Sequence, residues 1–505
     1  MLNAKKLLAG SALRFLTLLI GVCISFFMMP FLIHKLGDHW YGLWILVAST
    51  LTFYGVLELG LTSAIQRYIS YFLAKNDIQE LNSFTTNALF IFSIVGLLTF
   101  ITSVAVALCS PLFFDNPDDI TSFQTIILLM GSALGFSFYM NTYDAVLTSY
   151  LRYDIQSYIH LVKSILRPLT VVAVFSISPS VENLAYITVA TDLFGYLCIY
   201  RFARKQANWY APAFHLINKK TMGKLLNFGV YTFYNFLAQQ IRNRAPHFFV
   251  AGMLSISAVT IYQIATQLVS YFYQVQSSLL GIFLPTFTEL HGKEDRKELV
   301  KQYLFTTKLG AITASLISGA IIMLGEDFIR LWLGEDYTSA YYMLLPLTVS
   351  GFFNLIHLTT YQLFLSIKKH NYYAHTTTVE AIIVCSLGPL LGHYYGIKGI
   401  ALAVMISSIL GKGILLTLFL EKAAGIKMLS FIKAIATPII ITLISHTLLY
   451  YTVLTLTITS ILELITIGIL VYPILLIFTL YISSTKEEKT LILDTYEELR
   501  RKQTR

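Results

Sequence analysis

The chain has 505 residues, of which 56% are hydrophobic and only 12% charged, with a mean hydropathy of +0.67; a soluble protein carries about 25% charged residues. That excludes a soluble domain and leaves an integral membrane protein, of a size that suits a transporter or a membrane-embedded enzyme. The formal charge of +9 does not mark a nucleic-acid binder, because the lysines and arginines recur in every second loop instead of forming one patch.

Apolar segments fall at roughly 8–33, 41–63, 87–110, 122–147, 155–177 and 181–202, then at roughly 225–250, 258–285, 303–324, 340–366, 374–396 and 399–420, with two more near 430–452 and 457–482. Each is long enough to cross a bilayer as a helix. The expected fold is all-α: a polytopic membrane protein of about fourteen transmembrane helices, with two pseudo-symmetric six-helix lobes plus a C-terminal helix pair. The divisions are 1–206 for the N-lobe, 207–223 for a cytoplasmic linker, 224–425 for the C-lobe, 426–482 for helices 13 and 14, and 483–505 for a cytoplasmic tail. In that tail Leu491, Tyr496 and Leu499 suggest a short surface helix. The first apolar run is too long for a cleavable signal peptide. Cys23, Cys109, Cys198 and Cys385 lie in or beside spans and fit neither a disulfide framework nor a metal site.

Loop charge sets the orientation. Lys5 and Lys6, Arg67 and Lys75, Arg152, the run from Arg201 to Lys220, the run from Lys293 to Lys301, Lys368 and Lys369, and Lys422 and Lys427 occupy alternate loops. The loops between carry Asp115, Asp118 and Asp119, Glu182 and Glu463. Both termini are therefore expected in the cytoplasm.

The stretch from Leu36 to Asn76 is the most informative. Trp40, Tyr41 and Trp44 mark a membrane–water interface. Glu58 stands near the far end of the span that follows, where a carboxylate normally faces a bundle interior or a watery cavity. Other spans carry polar residues at the three-to-four spacing of one helix face. The first has Arg14, Thr17, Gly21 and Ser25. The fourth has Ser137, Asn141, Asp144 and Thr148, and the fifth Gln156, His160, Lys163, Arg167 and Thr170. The seventh has Tyr231, Asn235, Gln239 and Arg242 with Arg244 close by; the eighth has Gln263, Gln267, Ser270, Gln274 and Ser277; the tenth has Asn354, His357 and Tyr361. Together these faces describe a shared polar cavity. Its cations, Arg14, Lys163, Arg167, Arg242 and Arg244, outnumber its acids, Glu58, Asp144, Asp192 and Glu380. A cationic cavity suits an anionic headgroup, and arginine grips phosphate through a planar fork of donors. His357 reads as a hydrogen-bonded packing residue. Pro246, four residues after Arg242, removes a helical hydrogen bond and is the expected hinge.

The motif Gly10-Ser11-Ala12-Leu13-Arg14, then Leu36-Gly37 with Tyr41-Gly42-Leu43-Trp44, then Leu59-Gly60-Leu61 with Arg67, resembles the oligosaccharide flippases of bacterial O-antigen and capsule pathways. Their superfamily includes multidrug/cation antiporters and lipid II flippases. The resemblance implies a carrier of undecaprenyl-diphosphate-linked oligosaccharide in the bacterial inner membrane. It would work by alternating access between two lobes that form a V, with the last helix pair making a groove for the lipid tail. It implies membrane lipid as surroundings, and polysaccharide polymerase and chain-length proteins as partners. It implies no cofactor beyond a coupling ion such as Na+ or H+, at no assigned site. Many relatives have an acidic residue near Arg242-Asn243-Arg244. Two alternatives stand beside this reading. A cation-coupled drug antiporter of the same fold would want an acidic cavity. A membrane glycan polymerase or ligase would usually show a large external loop, and no external loop here exceeds about twenty residues. There is no nucleotide-binding Gly-x-x-x-x-Gly-Lys-Ser/Thr loop and no His-Glu-x-x-His.

Overall fold

The structure, a computed structural model, describes residues 4–58, 60–227, 230–453, 458–485 and 488–489. Among these residues there are fourteen long helical rods. The helix Ala4–Tyr54 breaks at Gly37 (φ 77°, ψ 166°), a left-handed position that glycine adopts without steric penalty. The break separates α1 (4–36) from α2, which opens at 38–54, passes through the 3₁₀ turn Gly55–Glu58 and ends as Leu61–Lys75. The next four rods are α3 (Ile78–Cys109), α4 (Pro117–Ser149), α5 (Tyr153–Phe175) and α6 (Val181–Gln206). After the linker come α7 (Val230–Met253) and α8 (Ile256–Leu280, then the 3₁₀ turn Gly281–Phe283 and Leu284–Gly292). They are followed by α9 (Arg296–Leu333) and α10 (Ala340–Ile356 and Leu358–Ser366). The helix His370–Ser408 breaks at Gly396 (φ 59°) into α11 (370–395) and α12, which runs on through the π-helical turn Ile409–Leu416 and Thr417–Ala424. The last pair is α13 (Met428–Val453) and α14 (Ile461–Ser483).

Nine described stretches are long and apolar enough to cross a membrane, and two of them each hold two rods. The rods outside those stretches are α6, α7 and α8, which carry Thr191 and Asp192, the Gln239–Arg244 run and the glutamine stripe. The expected single span at 41–63 is corrected: the crossing is built from two helical pieces, because the 3₁₀ turn Gly55–Glu58 closes the first and Gly60 (φ 68°) caps the start of the second.

The chain divides into two compact units, residues 1–260 and 261–505. In the first, α3 crosses α4 at glycine. A Cβ on Gly135 would sit 2.7 Å from the Gly96 carbonyl oxygen, and one on Gly96 would sit 2.5 Å from that of Gly135. Gly131, one turn earlier on α4, abuts Ser103. The Gly131-x-x-x-Gly135 spacing lets the two backbones touch, which is how helices pack where lipid removes the hydrophobic drive. The apolar core around Leu61, Phe84, Phe92 and Val146 grows from that crossing. In the second unit, Phe287, Tyr303, Phe364 and Phe431 form the main core.

Both units repeat one local device. Asn76 (φ 54°) and Glu294 (φ 58°) each precede an aspartate that caps the next rod. Asp77 accepts from the Glu80 amide at 3.1 Å, and Asp295 from that of Glu298 at 3.0 Å. Leu151 (φ 56°) and Lys368 (φ 58°) mark the turns before α5 and α11 in the same way.

The linker is fastened to the first unit. Asn82 of α3 donates to the Trp209 carbonyl at 2.9 Å and accepts from the Ala211 amide at 2.7 Å. Five residues on, Asn87 donates to Leu216 O at 2.9 Å and accepts from Asn218 N at 2.9 Å. The Trp209 indole donates to the Tyr150 hydroxyl at 2.8 Å, and Tyr210 meets Tyr143 at 3.0 Å. Burial pushes the Tyr210 hydroxyl up to about 12, so this anchor does not titrate near neutral pH. Each buried asparagine satisfies two backbone groups, and leaving such groups unpaired costs about 1–3 kcal/mol apiece. Replacing Asn82 and Asn87 together by alanine is expected to release the linker, seen as faster amide exchange over 209–218 with the exchange of α4 unchanged. Unaltered exchange there would show that the aromatic contacts alone hold it. The linker ends in a short helix, Lys219–Asn227.

Of the tail, residues 483–485 and 488–489 are described. Thr485 and Glu488 cap each other, the Thr485 amide donating to Glu488 at 2.7 Å and the Glu488 amide to the Thr485 hydroxyl at 3.3 Å. Glu488 takes both of its oxygens to Lys308 on α9, at 2.9 and 2.7 Å. The surface helix expected around Leu491, Tyr496 and Leu499 lies outside the described residues.

Candidate functional site

The site is built on α4 and α5 of the first unit. The turn between them is tight, with Leu151 left-handed and Arg152 clamped on Asp154 (Nε to Oδ1 3.0 Å, Nη2 to Oδ2 2.9 Å). The tight turn brings the last turns of α4 against the first turns of α5. Gln156 donates to Asp144 Oδ1 at 2.8 Å and to the Thr148 hydroxyl at 2.8 Å. Beside them lies a cavity of about 550 Å³, lined by Thr17, Gln66, Asp144, Thr148, Tyr153, Gln156, Ser157 and His160. The polar stripes of the first, fourth and fifth spans meet there, joined by Gln66 of α2.

Further along the same face of α5 stand Lys163 and Arg167. From Gln156 to Arg167 the strip is about 16 Å long at 1.5 Å per residue. Asp192 of α6 receives both cations on one oxygen: Lys163 Nζ at 2.7 Å and Arg167 Nη2 at 2.6 Å. Arg167 Nε donates to Thr191 at 3.1 Å. The Lys163 stem lies over Gly195, where a Cβ would come within 2.5 Å of Cδ, and its ammonium is 5.6 Å from the Tyr196 ring centre. Two cations on one carboxylate leave a net positive charge. Side-chain exposures of 18% for Lys163 and 36% for Arg167 leave both reachable by a ligand. Chemically the cluster can exchange its carboxylate contacts for those of an incoming anion.

The other expected residues are distributed as follows. Arg14 lies on α1 among residues whose side chains fall outside the described set, as does Tyr231 on α7. Glu58 ends the 3₁₀ turn and is half-buried. Asn141 is half-buried on α4, as are Asn235 and Gln239 on α7. Arg242 is 9% exposed and donates through Nη1 to Asn243 Oδ1 at 3.0 Å. Arg244 is half-buried, and two residues apart on a helix the two arginines do not share a face. α7 runs through Pro246 without a break in the helix.

In the second unit, Gln263 donates to Gln267 at 2.9 Å and Gln274 to the Ser270 hydroxyl at 3.2 Å, so much of that stripe is bonded to itself along α8. His357 is fully buried, bonded to Thr360 at 3.1 Å and stacked on Phe431 at 5.0 Å, a packing position.

Two groups escaped the sequence reading. Lys412 is buried inside α12, although a lysine in the run Ile409-Leu410-Gly411-Lys412-Gly413-Ile414 is legible as an intramembrane charge. Asn82 and Asn87 have partners more than a hundred residues away, and no local pattern announces them. Among the described residues no group of three or more His, Cys, Asp or Glu gathers to hold a metal ion.

Apolar rods around a polar, charged strip define a multi-pass membrane protein with the architecture of a transporter. The family described as polysaccharide biosynthesis proteins matches residues 36–342, and the chain belongs to that family. It is 22% identical over 485 residues, 95% of each chain, to the uncharacterized membrane protein EpsK of Bacillus subtilis (strain 168). Among solved structures it is similar to the lipid II flippase MurJ in an inward closed conformation, at 16% identity over 96% of this chain and 100% of that one, with a TM-score of 0.70. It is also similar to a multidrug resistance MATE family transporter of the MOP superfamily in an inward-facing conformation, at 12% identity over 80% and 95% of the two chains, with a TM-score of 0.67. These likenesses show that the chain shares the fold of those two solved structures, the fold that the motifs of the first two spans imply.

Proposed function

We propose that this protein is a flippase that carries an undecaprenyl-diphosphate-linked oligosaccharide, an O-antigen or capsule repeat unit, from the cytoplasmic to the outer leaflet of a bacterial inner membrane. The observation that carries the reading is the pairing of Lys163 and Arg167 on the single carboxylate of Asp192, at the end of a polar strip in the first unit. A diphosphate is the anion best matched to a lysine and an arginine side by side, since it offers oxygens to both the ammonium and the guanidinium fork. A cationic drug would meet repulsion there. Arg14, Arg242 and Arg244 add positive charge on the same unit, with Asn141, Asn235 and Gln239 as polar contacts for sugar hydroxyls. In this reading the lobes 1–206 and 224–425 alternate about the linker, Pro246 lets α7 flex, and the pair 426–482 guides the lipid tail. The membrane potential supplies about 2.3 kcal/mol per charge per 100 mV. An inside-negative potential favours outward movement of a negative headgroup. Polysaccharide polymerase and chain-length proteins are the partners that would take over the product.

The deciding experiment is a clean deletion in a strain without a redundant flippase. Surface glycan should vanish and lipid-linked oligosaccharide should accumulate on the cytoplasmic side. Normal surface glycan would refute the reading, and drug hypersensitivity in its place would promote a drug antiporter.

The orientation is tested separately. With the four native cysteines replaced, single cysteines at Asp118, Glu182 and Glu335 should react with an impermeant thiol reagent from outside, and those at Lys219 and Lys297 should not. The reverse pattern would overturn cytoplasmic termini.

A further inference from the structure

In the second unit, Lys412 of α12 points its ammonium at Glu380 of α11 (Nζ to Oε2 3.8 Å) and donates to the amide oxygen of Asn354 on α10. The Tyr373 ring centre lies 5.3 Å from the same nitrogen. Glu380 is fully buried and Lys412 is 4% exposed. The surroundings are shaped for this group. Asn354 Nδ2 donates to the Ser350 carbonyl at 2.8 Å, which orients the amide with its oxygen toward Lys412. A Cβ on Gly411 would collide with Glu380 Cγ, and one on Gly413 would come within 2.9 Å of the Phe353 ring. The glycines on either side of Lys412 thus let both neighbours close on it. The turn that carries it is π-helical, a local widening often found at functional sites.

A carboxylate, an amide oxygen and an aromatic face are the groups that recognise a monovalent cation. A buried carboxylate in a membrane bundle is tolerated when a cation sits beside it. We propose that Glu380, Asn354 and Tyr373 form a monovalent-cation site whose resident cation is the tethered ammonium of Lys412. The wild-type protein is consequently indifferent to sodium at this site, and removing the lysine opens the site to a free cation. The inference rests on the second unit alone and is read out by stability, so it stands or falls apart from the glycolipid reading.

The test is melting of the purified full chain in choline, sodium and n-butylammonium chloride at equal ionic strength. Wild type should melt at one temperature in all three. Lys412→Ala should melt several degrees lower in choline and recover in sodium or butylammonium, whose chain fills the space of the missing side chain. Glu380→Gln/Lys412→Ala should show no such recovery. A sodium-specific rise in the wild type that Glu380→Gln abolishes would overturn the proposal, because the ammonium would not then fill the site. A Lys412→Ala protein that melts identically in all three salts would overturn it too. Should Lys412→Ala not accumulate, the wild-type comparison decides by itself, with Glu380→Gln/Lys412→Met as the neutral pair: a sodium response in that pair overturns the proposal.

Discussion

Neutralising Lys163, Arg167 and Asp192 together (K163M/R167M/D192N) is expected to leave a folded, membrane-resident protein whose glycan export has fallen about a hundredfold or more. The reasoning turns on charge balance. Removing the cations alone would leave Asp192, half-buried on α6, without either partner, so poor export could then be poor folding. Removing all three charges avoids this, since even a buried ion cluster can often be replaced by neutral groups of similar size with little loss of stability, and this one is only half-buried. What disappears is the capacity to hold an anion. A hydrogen bond to a charged group is worth about 1.5–3 kcal/mol; because Arg167 is about a third exposed, the lower figure suits each cation. Two of them give about 3 kcal/mol, on the order of 10² in affinity. Asp192→Asn alone acts in the opposite sense. It frees both cations for the ligand, so a diphosphate headgroup should be bound more tightly and released more slowly, and export should drop several-fold with binding retained. Membrane abundance, surface glycan and binding of an isoprenyl diphosphate in detergent are measured on the same variants. A triple variant that exports normally would show that the cluster only ties α5 to α6.

Much of the fold is legible because a helix crossing lipid must be apolar over some twenty residues, a condition met by the nine described stretches that hold eleven of the fourteen rods. The break at Gly37 is also legible, since the apolar pattern pauses there. What is not legible is how a crossing is composed. The run at 41–63 reads as one helix, yet Leu57-Glu58 lies in a 3₁₀ turn and Gly60 restarts the helix. Hydropathy reports length and not backbone continuity. Tyr41 reads as an interfacial ring but is buried at 6% exposure, with Trp40 and Trp44 packed against core residues. Periodicity placed Gln156, His160, Lys163 and Arg167 on one face of α5, and there the strip can be read directly. Periodicity also shows that Arg242 and Arg244, two residues apart, diverge, although their proximity in sequence suggests a pair. The assignment of Asp192 as the shared partner of Lys163 and Arg167 needed the packing of α6 on α5, a tertiary fact with no local signal. Lys412 was overlooked for the opposite reason: its signal is plain, but a single lysine in a long apolar run is easily absorbed into the count of loop charges.

Arg242→Ala is expected to abolish most export while the protein still reaches the membrane, and Arg242→Lys to restore only part of it. Pro246 has no N–H for the Arg242 carbonyl, yet α7 continues through it without interruption. The helix there lacks one hydrogen bond of its own ladder, which makes it easier to flex than an uninterrupted turn. Arg242 is 9% exposed, and Asn243 accepts from one of its guanidinium donors. Burial of this kind supports two roles. If the arginine serves the substrate, a diphosphate takes a bidentate pair of hydrogen bonds from its planar fork, and lysine, a point charge, cannot reproduce them. Loss of a bidentate charged contact amounts to about 3 kcal/mol, again on the order of 10² in affinity. If instead the arginine serves the fold, truncation leaves a cavity and an uncompensated partner, and the alanine variant accumulates poorly. Asn243→Ala separates the two further. It removes an acceptor that orients the guanidinium and leaves the charge in place, so a substrate role predicts a several-fold loss of export at full abundance. Surface glycan plotted against membrane abundance for Arg242→Ala, Arg242→Lys and Asn243→Ala therefore distinguishes the roles. Full export from an abundant Arg242→Ala protein would eliminate both.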